Sequence, residues 1–266
     1  MADSKRFEVR SSYGRAARSH TLINALTTQL EDIADSKTKQ WFDNYLKGAI
    51  EYRGVKTPIV TKLVTHWQRE YNLTQYSIDE QLALCELLIQ SQFAEDKFAG
   101  TIYLQKFLCK VLPWERLVSF SAGLFEAGYF FDWSTTDWFC VRVLDPMIIR
   151  HGLPAADSIA QWKTAQNLWQ KRAAIVSFRH ATKDREYHDL IKEIISELVS
   201  DERRFIQTGI GWVLADLSKP YPEEAETLFR QYLSQLSCEV IDRHTKHLDA
   251  HTELKRLKRE QIQAIS

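Results

Sequence analysis

The stretch Lys97–Ile102 reads Lys-Phe-Ala-Gly-Thr-Ile and joins a charged residue to small residues and an isoleucine. Arg172–Ile175 (Arg-Ala-Ala-Ile) and Phe205–Ile210 (Phe-Ile-Gln-Thr-Gly-Ile) repeat this combination further along the chain. Their spacing fits one or two units of about 35 to 40 residues, a period typical of repeats built from paired helices. Small side chains let a neighbouring helix approach closely, so the pattern favours stacked helix pairs. Chance recurrence of alanine, glycine and isoleucine in a helical protein is the alternative.

Turn-forming residues are scarce. The chain has 9 glycines and 6 prolines in 266 residues, which is little for an all-β protein with many hairpins. No stretch alternates convincingly between apolar and polar residues. Helix start signals stand at Thr57-Pro58, Ser77–Glu80, Asn167 and Pro222. The sequence therefore predicts roughly a dozen antiparallel helices joined by short loops.

Together these patterns predict an all-α fold, an α-solenoid (α-α superhelix) of HEAT-like antiparallel helix pairs with a concave binding face. The concave surface of a solenoid usually binds a macromolecule, so a large ligand is favoured over a small buried one. We expect residues 21–266 to form a single helical-repeat domain. Residues 1–20, which contain several lysines and arginines, are expected to form a flexible basic tail.

Composition excludes several classes of protein. With 44% hydrophobic residues and 35 basic against 35 acidic side chains, the chain is not of the disordered type. Its most apolar stretch, Phe120–Phe131, is too short to cross a bilayer, and the N-terminus lacks the apolar core of a secretory signal. The four cysteines are scattered without a CxxC pair, which is typical of reduced, intracellular thiols. We therefore expect an intracellular, cytoplasmic protein without a membrane anchor.

The residues best suited to chemistry lie one repeat apart. Trp133 and Asp137 are four residues apart, so at a helix start they share one side of the helix. If the repeats stack, Arg172 takes the place in the next repeat that Asp137 takes in its own. A further tryptophan, Trp212, follows one repeat beyond.

These segments resemble the DNA alkylation repair family, the AlkD-like DNA glycosylases built from HEAT-like repeats. The family has a tryptophan, an aspartate four residues later, and an Arg-Ala-Ala-Ile run one repeat beyond. This chain resembles that pattern at Trp133, Asp137 and Arg172. Phe205–Leu214 resembles the family's helix with a DNA-contacting tryptophan, here Trp212. Residues 45–47 and 54–58 resemble its opening repeat, and the similarity runs from about residue 45 to about residue 248.

Two positions depart from the family pattern. The family often has an acidic residue directly after the first tryptophan, where this chain has Ser134. A rival alignment on Trp138 would place Arg142 where the aspartate belongs and would imply a catalytically inactive relative. We prefer the alignment on Trp133, because it keeps Asp137 and puts residues 140–144 in helical phase.

The resemblance implies a monofunctional glycosylase that excises N3- or N7-alkylated purines from double-stranded DNA, as a monomer and without a cofactor or metal. Asp137 would stabilise the oxocarbenium-like sugar and position water, and Trp133 would face the cationic lesion. Arg172 would grip a phosphate or orient Asp137. The residues expected to bind DNA are Trp212, Tyr45, Lys47, Lys171, Arg179 and Lys183.

Each of these residues also has a purely structural interpretation. Ser134–Asp137 fits a capping box in which Asp137 only satisfies a helix terminus. The tryptophans fit core packing, and Arg172 fits an inter-repeat ion pair. The functional alternatives are a non-catalytic relative that binds damaged or branched DNA and a protein-binding scaffold. His244, His247 and His251 share one helical face, but the basic neighbours Arg243 and Lys246 argue against a metal site.

The zero net charge at first argues against a DNA-binding protein, since such domains usually carry a basic excess. A sum over the whole chain, however, does not report where the charges lie. Lysines and arginines gather between residues 142 and 185, and acidic residues gather at 31–35 and 223–226. The sequence therefore predicts a segregated surface, basic inside the curve and acidic outside.

Overall fold

The structure is a computed structural model that describes the backbone of residues 2–265 and the side chains of residues 17–264. Over this range the chain is helical, and its one β-type pairing is an isolated bridge between Glu51 and Phe93. The predicted all-α class is confirmed. The chain divides into two compact units, Met1–Leu112 and Pro113–Ser266. The solenoid curve, the concave face and the domain limits at residue 20 stay predictions.

The first unit contains five α-helices in its described part. They are α1 (Ala2–Asp32), α2 (Ser36–Leu46), α3 (Thr57–Glu70), α4 (Ile78–Gln90) and α5 (Ala94–Tyr103). The residues predicted to form a basic tail belong to α1, and the side chains of the first sixteen lie outside the described residues. Helix α3 is tied to α1 by its buried Trp67, whose indole N–H donates to the Leu22 carbonyl at 2.9 Å.

The second unit contains ten α-helices in its described part. They are α6 (Trp114–Glu126), α7 (Trp133–Phe139), α8 (Asp145–His151), α9 (Leu153–Ala160), α10 (Leu168–Val176), α11 (His188–Leu198), α12 (Arg204–Leu217), α13 (Pro222–Gln231), α14 (Cys238–His244) and α15 (His251–Ile265). Helix α10 packs against α7 and α12, and α12 packs against α14. The elements that bear Asp137, Arg172 and Trp212 are therefore neighbours within one unit.

Local start signals explain several helix boundaries. Ser77 and Glu80 form the predicted capping box, Asn167 accepts hydrogen bonds from two N–H groups of α10, and Pro222 opens α13. At α3 the expectation is wrong by one residue, because Lys56 is the N-cap and Thr57 is already helical. Without a side-chain cap bond at Lys56, the proline in the first turn fixes this start.

The small residues of the repeated stretches allow close helix packing, as predicted. A Cβ on Gly100 of α5 would lie 2.8 Å from the Ile89 side chain and 2.9 Å from the Cys85 carbonyl oxygen of α4. In the second unit, a Cβ on Gly209 of α12 would lie 3.2 Å from the Arg172 guanidinium. Each glycine thus sits at the contact between two neighbouring helices.

Each unit also contains one π-helical turn. Residues 104–108 follow α5 in the first unit, and residues 140–144 join α7 to α8 in the second. In both, a backbone N–H bonds to the carbonyl five residues earlier, Cys109 to Leu104 and Asp145 to Cys140. Such turns are rare and insert extra backbone into an otherwise continuous helix.

Among the described residues, no helix is long and apolar enough to cross a membrane.

Candidate active site

Asp137 lies in the second turn of α7 and does not cap that helix. The cap is Asp132, whose carboxylate accepts hydrogen bonds from the N–H groups of Ser134 at 2.8 Å and Thr135 at 3.0 Å. It also accepts the Thr135 hydroxyl. The alternative interpretation of residues 134–137 as a capping box is therefore wrong, because the Asp132 carboxylate caps the helix two residues earlier. Asp137 is left available for a different contact.

That contact is a two-point ion pair with Arg172 of α10. Arg172 Nε donates to Asp137 Oδ1 at 2.7 Å, and Nη2 donates to Oδ2 at 2.8 Å. The side chains are 5% and 10% exposed, respectively. The 35-residue separation expected from the repeat thus brings the two groups together. Paired donors of this kind fix both the position and the plane of a carboxylate.

Arg172 also reaches a third helix. Its Nη1 donates to the Phe205 carbonyl and to the Thr208 hydroxyl, the latter at 3.3 Å. The guanidinium therefore joins α7, α10 and α12, and each of its three nitrogens has a protein acceptor. Of the two roles predicted for Arg172, this arrangement favours orienting Asp137 over gripping a phosphate.

Burial and ion pairing act in opposite directions on Asp137. Burial raises the pKa of the carboxyl group above its usual value, and the charge and hydrogen bonds of Arg172 partly offset this. Burial likewise raises the pKa of the Cys140 thiol, and the negative charge of Asp137 adds to it. The site is thus a low-dielectric environment in which a fixed charge acts strongly on its neighbours.

Aromatic rings lie on the same elements. Trp133, the first residue of α7, and Trp138, on its next turn, are both half-buried. Arg142 is exposed in the π turn, with its guanidinium carbon 5.2 Å from the centre of the Trp138 ring. Asp137 pairs with Arg172, whereas Arg142 contacts a tryptophan. The contact of Arg142 with Trp138 fits either alignment, and the preference for the alignment on Trp133 stays a prediction.

Trp212 of α12 is paired with Arg179. The guanidinium carbon lies 3.5 Å from the Trp212 ring centre, and Nε donates to Asp216 at 2.5 Å. The charge of Arg179 also lowers the pKa of Asp137, although less than Arg172 does. Arg179, whose side chain is 18% exposed, and the half-buried Trp212 therefore lie close to the buried ion pair.

The remaining predicted DNA-binding residues are more scattered. Lys171 forms an ion pair with Asp201 at 3.6 Å, and Lys183 is exposed after α10. Tyr45 and Lys47 belong to the first unit, where Tyr45 stacks on the exposed Trp41 at 5.3 Å and Lys47 ends α2 in a left-handed conformation. Their DNA-binding roles stay predictions.

Sequence reasoning did not find Asp132, Thr208 or Asp216, which cap the helix and hold the two arginines. One signal was available for Asp216. It follows Arg179 by 37 residues, close to the separation of Asp137 and Arg172. A search for opposite charges about one repeat apart would have found both pairs.

Both the fold and the sequence of the chain are similar to those of known proteins. The chain is similar over 81% of its length to a solved structure from Enterococcus faecalis described as a predicted DNA alkylation repair enzyme, with 21% identity, a TM-score of 0.70 and 97% of that chain covered. No curated protein matches the sequence. The family model for DNA alkylation repair enzymes matches residues 26–256. The chain therefore belongs to the DNA alkylation repair enzyme family.

Proposed function

We propose that this protein is a monofunctional DNA glycosylase that removes N3- or N7-alkylated purines from duplex DNA. The observation that carries the proposal is the buried, two-point Asp137–Arg172 ion pair next to the half-buried Trp133. Family membership supports a role in the repair of alkylated DNA. The identity of the excised bases and the reaction type are the proposed part.

The chemistry suits this set of residues. Alkylation at N3 or N7 makes the purine cationic, so the glycosidic C–N bond can break with its electron pair leaving on a neutral base. The sugar then develops positive charge, which a fixed carboxylate stabilises. Water adds to the anomeric carbon and loses a proton to complete hydrolysis. Asp137 supplies the negative charge and orients that water.

Arg172 acts as a positioning residue in this scheme. Burial alone favours a protonated, uncharged Asp137, and the guanidinium opposes this by stabilising the carboxylate. Its bond to the Phe205 carbonyl fixes it against α12. The carboxylate therefore meets the developing charge without having to reorganise.

The aromatic residues would hold the cationic lesion. A cation against an aromatic face is stabilised by about 0.5 to 2 kcal/mol, depending on desolvation. Trp133 and Trp212 are both half-buried, so each ring keeps an accessible part. Arg179, Lys171 and Lys183, together with Tyr45 and Lys47, would contact the DNA backbone of a substrate bound by a single copy of the chain.

A second candidate function is non-catalytic binding of damaged or branched DNA. It is favoured by one observation, namely that Arg172 occupies both oxygens of Asp137 in a largely buried pair. If that pair is only structural, the protein would bind DNA in a salt-sensitive manner without releasing a base. A protein-binding scaffold, the third candidate, would show no DNA affinity even at low salt.

The test is to incubate the protein with methylated duplex DNA and to measure the released free base by chromatography. We expect the native protein to release alkylated purines and Asp137→Asn to release at least about a hundredfold less, the scale typical of a lost charge-stabilising group. Asp96→Asn is the matched control, since it removes the charge of a similar buried aspartate–arginine pair in the first unit. DNA binding without base release by the native protein would establish the second candidate instead.

A further inference from the structure

A cavity in the second unit shares only Lys183 with the residues assigned to DNA binding and contains neither Asp137 nor Arg172. Its volume is about 910 Å³, and its walls come from α8, from residues 180–185 and from the start of α13. This exceeds the space that a single nucleotide needs and falls in the range of known ligand pockets. The lining combines cationic side chains with one aromatic ring, Tyr221.

At the base of the cavity lies a second acid–base pair, Asp145 and His180. Asp145 Oδ2 is hydrogen-bonded to His180 Nδ1, and the two residues are 35 positions apart, like Asp137 and Arg172. The Asp145 side chain is fully buried, whereas that of His180 is 51% exposed. The other oxygen, Asp145 Oδ1, is buried without a hydrogen-bond partner. The carboxylate therefore depends on His180 for its stabilisation.

The hydrogen bond to Asp145 fixes which ring nitrogen of His180 is available to a ligand. When Nδ1 is held by a buried carboxylate, Nε2 is the nitrogen left to face a ligand. Burial raises the pKa of the Asp145 carboxyl group to about 6, even though the charge of His180 acts in the opposite direction.

The wall of the cavity is held in place by Tyr221. Its hydroxyl donates to the Lys183 carbonyl at 3.2 Å, and the Arg185 guanidinium carbon lies 4.9 Å from its ring centre. Asp184 is engaged locally, since its carboxylate accepts the Glu186 N–H at 3.0 Å. The side chains of Lys183 and Arg185 are both exposed beside this fixed ring.

The charges around His180 favour an anion. The charged residues that line the cavity with His180 are Asp145 and Arg150 of α8, and Lys183, Asp184 and Arg185 of the turn that follows His180. Arg179, the preceding residue, is paired with Asp216 of α12. In the cavity lining, three cationic side chains face two carboxylates, so the excess is one positive charge with neutral His180 and two with protonated His180. Hydrogen-bond donors of this kind match a phosphate group.

We infer that Asp145, His180, Arg150, Lys183 and Arg185 form a phosphate-binding site, separate from the Asp137–Arg172 pair, in which His180 donates a proton-dependent hydrogen bond. Nucleic acid supplies such a group either as an internal phosphodiester or as a terminal phosphate. The ligand binds more tightly when His180 is protonated, because the bound anion then meets one more positive charge. The site does not depend on base excision.

The first test uses sulfate, whose charge is constant near neutral pH, as a probe for the native protein. NMR titration of the histidine ring signals gives its dissociation constant at about pH 6 and about pH 8. We expect binding to be about tenfold tighter at the lower pH, a typical effect of one charge-assisted hydrogen bond. Equal affinity at both pH values would overturn the proposal.

Two variants locate the effect. His180→Gln should lose the pH dependence of sulfate binding, and retention of that dependence would overturn the site. His66→Gln is the matched control, because His66 is an exposed histidine next to a carboxylate, Glu70, in the first unit. It should bind sulfate as the native protein does. Melting temperatures of both variants establish that they are folded.

A competition experiment identifies the source of the phosphate. Undamaged duplex with 5′-hydroxyl ends should displace sulfate if the site takes an internal phosphodiester. A short 5′-phosphorylated strand should displace it, and its 5′-hydroxyl counterpart should not, if the site takes a terminal phosphate. Displacement by none of these would overturn nucleic acid as the ligand. Because no lesion is involved, failure of base excision would leave these outcomes unchanged.

Discussion

The two units of the chain each contain a buried aspartate–arginine pair with two hydrogen bonds, made end-on by the arginine of the first unit and side-on by that of the second. In the first unit, Arg53 Nη1 and Nη2 donate to Asp96 at 2.6 and 3.1 Å. In the second, Arg172 Nε and Nη2 donate to Asp137 at 2.7 and 2.8 Å. Burial raises the pKa of both aspartates. The ion pair by itself therefore does not distinguish a functional site.

The surroundings of the two pairs differ. Asp96 also accepts the Ser91 hydroxyl at 2.6 Å, and the Arg53 guanidinium carbon lies 3.8 Å from the Phe93 ring centre. The adjacent Glu95 accepts the backbone N–H groups of residues 53–55. These contacts clamp residues 53–55 onto α5.

The second pair has partners of another kind. Around Asp137 and Arg172 lie the half-buried Trp133 and the Arg179–Trp212 pair, which reach towards the surface of the unit. The two pairs therefore differ mainly in the tryptophans and the second arginine around Asp137, and these neighbours support the proposal that a ligand binds there.

The largest expected effect concerns stability and should be the same in both units. Arg53→Ala and Arg172→Ala each leave a buried carboxylate without its counter-charge, which costs about 3 to 5 kcal/mol. Hydrogen exchange resolved for α5 and α7 measures the loss unit by unit. Adding Asp96→Asn or Asp137→Asn should recover part of it. A loss of stability confined to one unit would contradict the equivalence of the two ion pairs.

The second-largest expected effect is a difference between the units in how well a glycine at a helix contact tolerates replacement by alanine. Gly100→Ala forces a methyl group against a backbone carbonyl, and we expect it to destabilise the first unit by about 1 to 3 kcal/mol. Gly209→Ala meets the ends of side chains, and the better helix propensity of alanine offsets the strain by up to about 1 kcal/mol. Chemical denaturation measures both.

The same two glycine variants also test whether the active site lies in the second unit. Because the new methyl group in Gly209→Ala would press on Arg172, base release should fall several-fold while the unit stays folded. Gly100→Ala should leave base release per folded molecule unchanged. Equal losses of activity in the two variants would contradict the assignment of the site to the second unit.

Arg179 should contribute to DNA affinity in a way that Arg53 does not. Arg179→Gln is expected to weaken binding to undamaged duplex about tenfold at low salt and to reduce the slope of log affinity against log salt by about one. Fluorescence anisotropy at several salt concentrations measures both quantities. Arg230→Gln, which removes an arginine paired with Glu226 and Glu253, serves as the control. An unchanged slope in Arg179→Gln would exclude a phosphate contact.

The smallest effect is a difference in acid sensitivity. Burial, aided by Arg243, lowers the pKa of His244 from 6.5 to about 4. The unfolded chain binds this proton first, so the stability that neutral His244 contributes is complete above about pH 6.5 and is lost as the pH falls towards 4. After allowance for solvent screening, we expect about 1 kcal/mol.

Hydrogen exchange can locate that effect. The His244 ring abuts Gly211, so acid should speed exchange in α12 and α14 before it affects the helices around Asp96. His244→Gln should remove the difference between about pH 7 and about pH 5. If α12 and α14 in this variant remain as acid-sensitive as in the native protein, the effect does not come from His244.

Much of this arrangement could be predicted because its causes are local or periodic. The capping box at Ser77 depends on residues three apart, and the meeting of Asp137 with Arg172 depends on the repeat length. The cap of α7 could not be chosen from sequence, since Asp132 and Ser134 are both favourable N-cap residues and would start the helix two residues apart. The Arg53–Asp96 pair spans 43 residues, outside the repeat spacing, and only the three-dimensional packing reveals it.

The π turn at residues 140–144 separates Asp137 from Asp145 on what would otherwise be one continuous helix. It sets the rotational phase of α8 relative to α7. Removing one residue from this turn would rotate α8 by about 100° relative to α7, while α10 stays packed against α7 and α12. Asp137 would keep Arg172, while Asp145 would turn away from His180. The length of the π turn therefore determines whether Asp145 meets His180, independently of the contact between Asp137 and Arg172. A single-residue deletion would disrupt the first pair and keep the second.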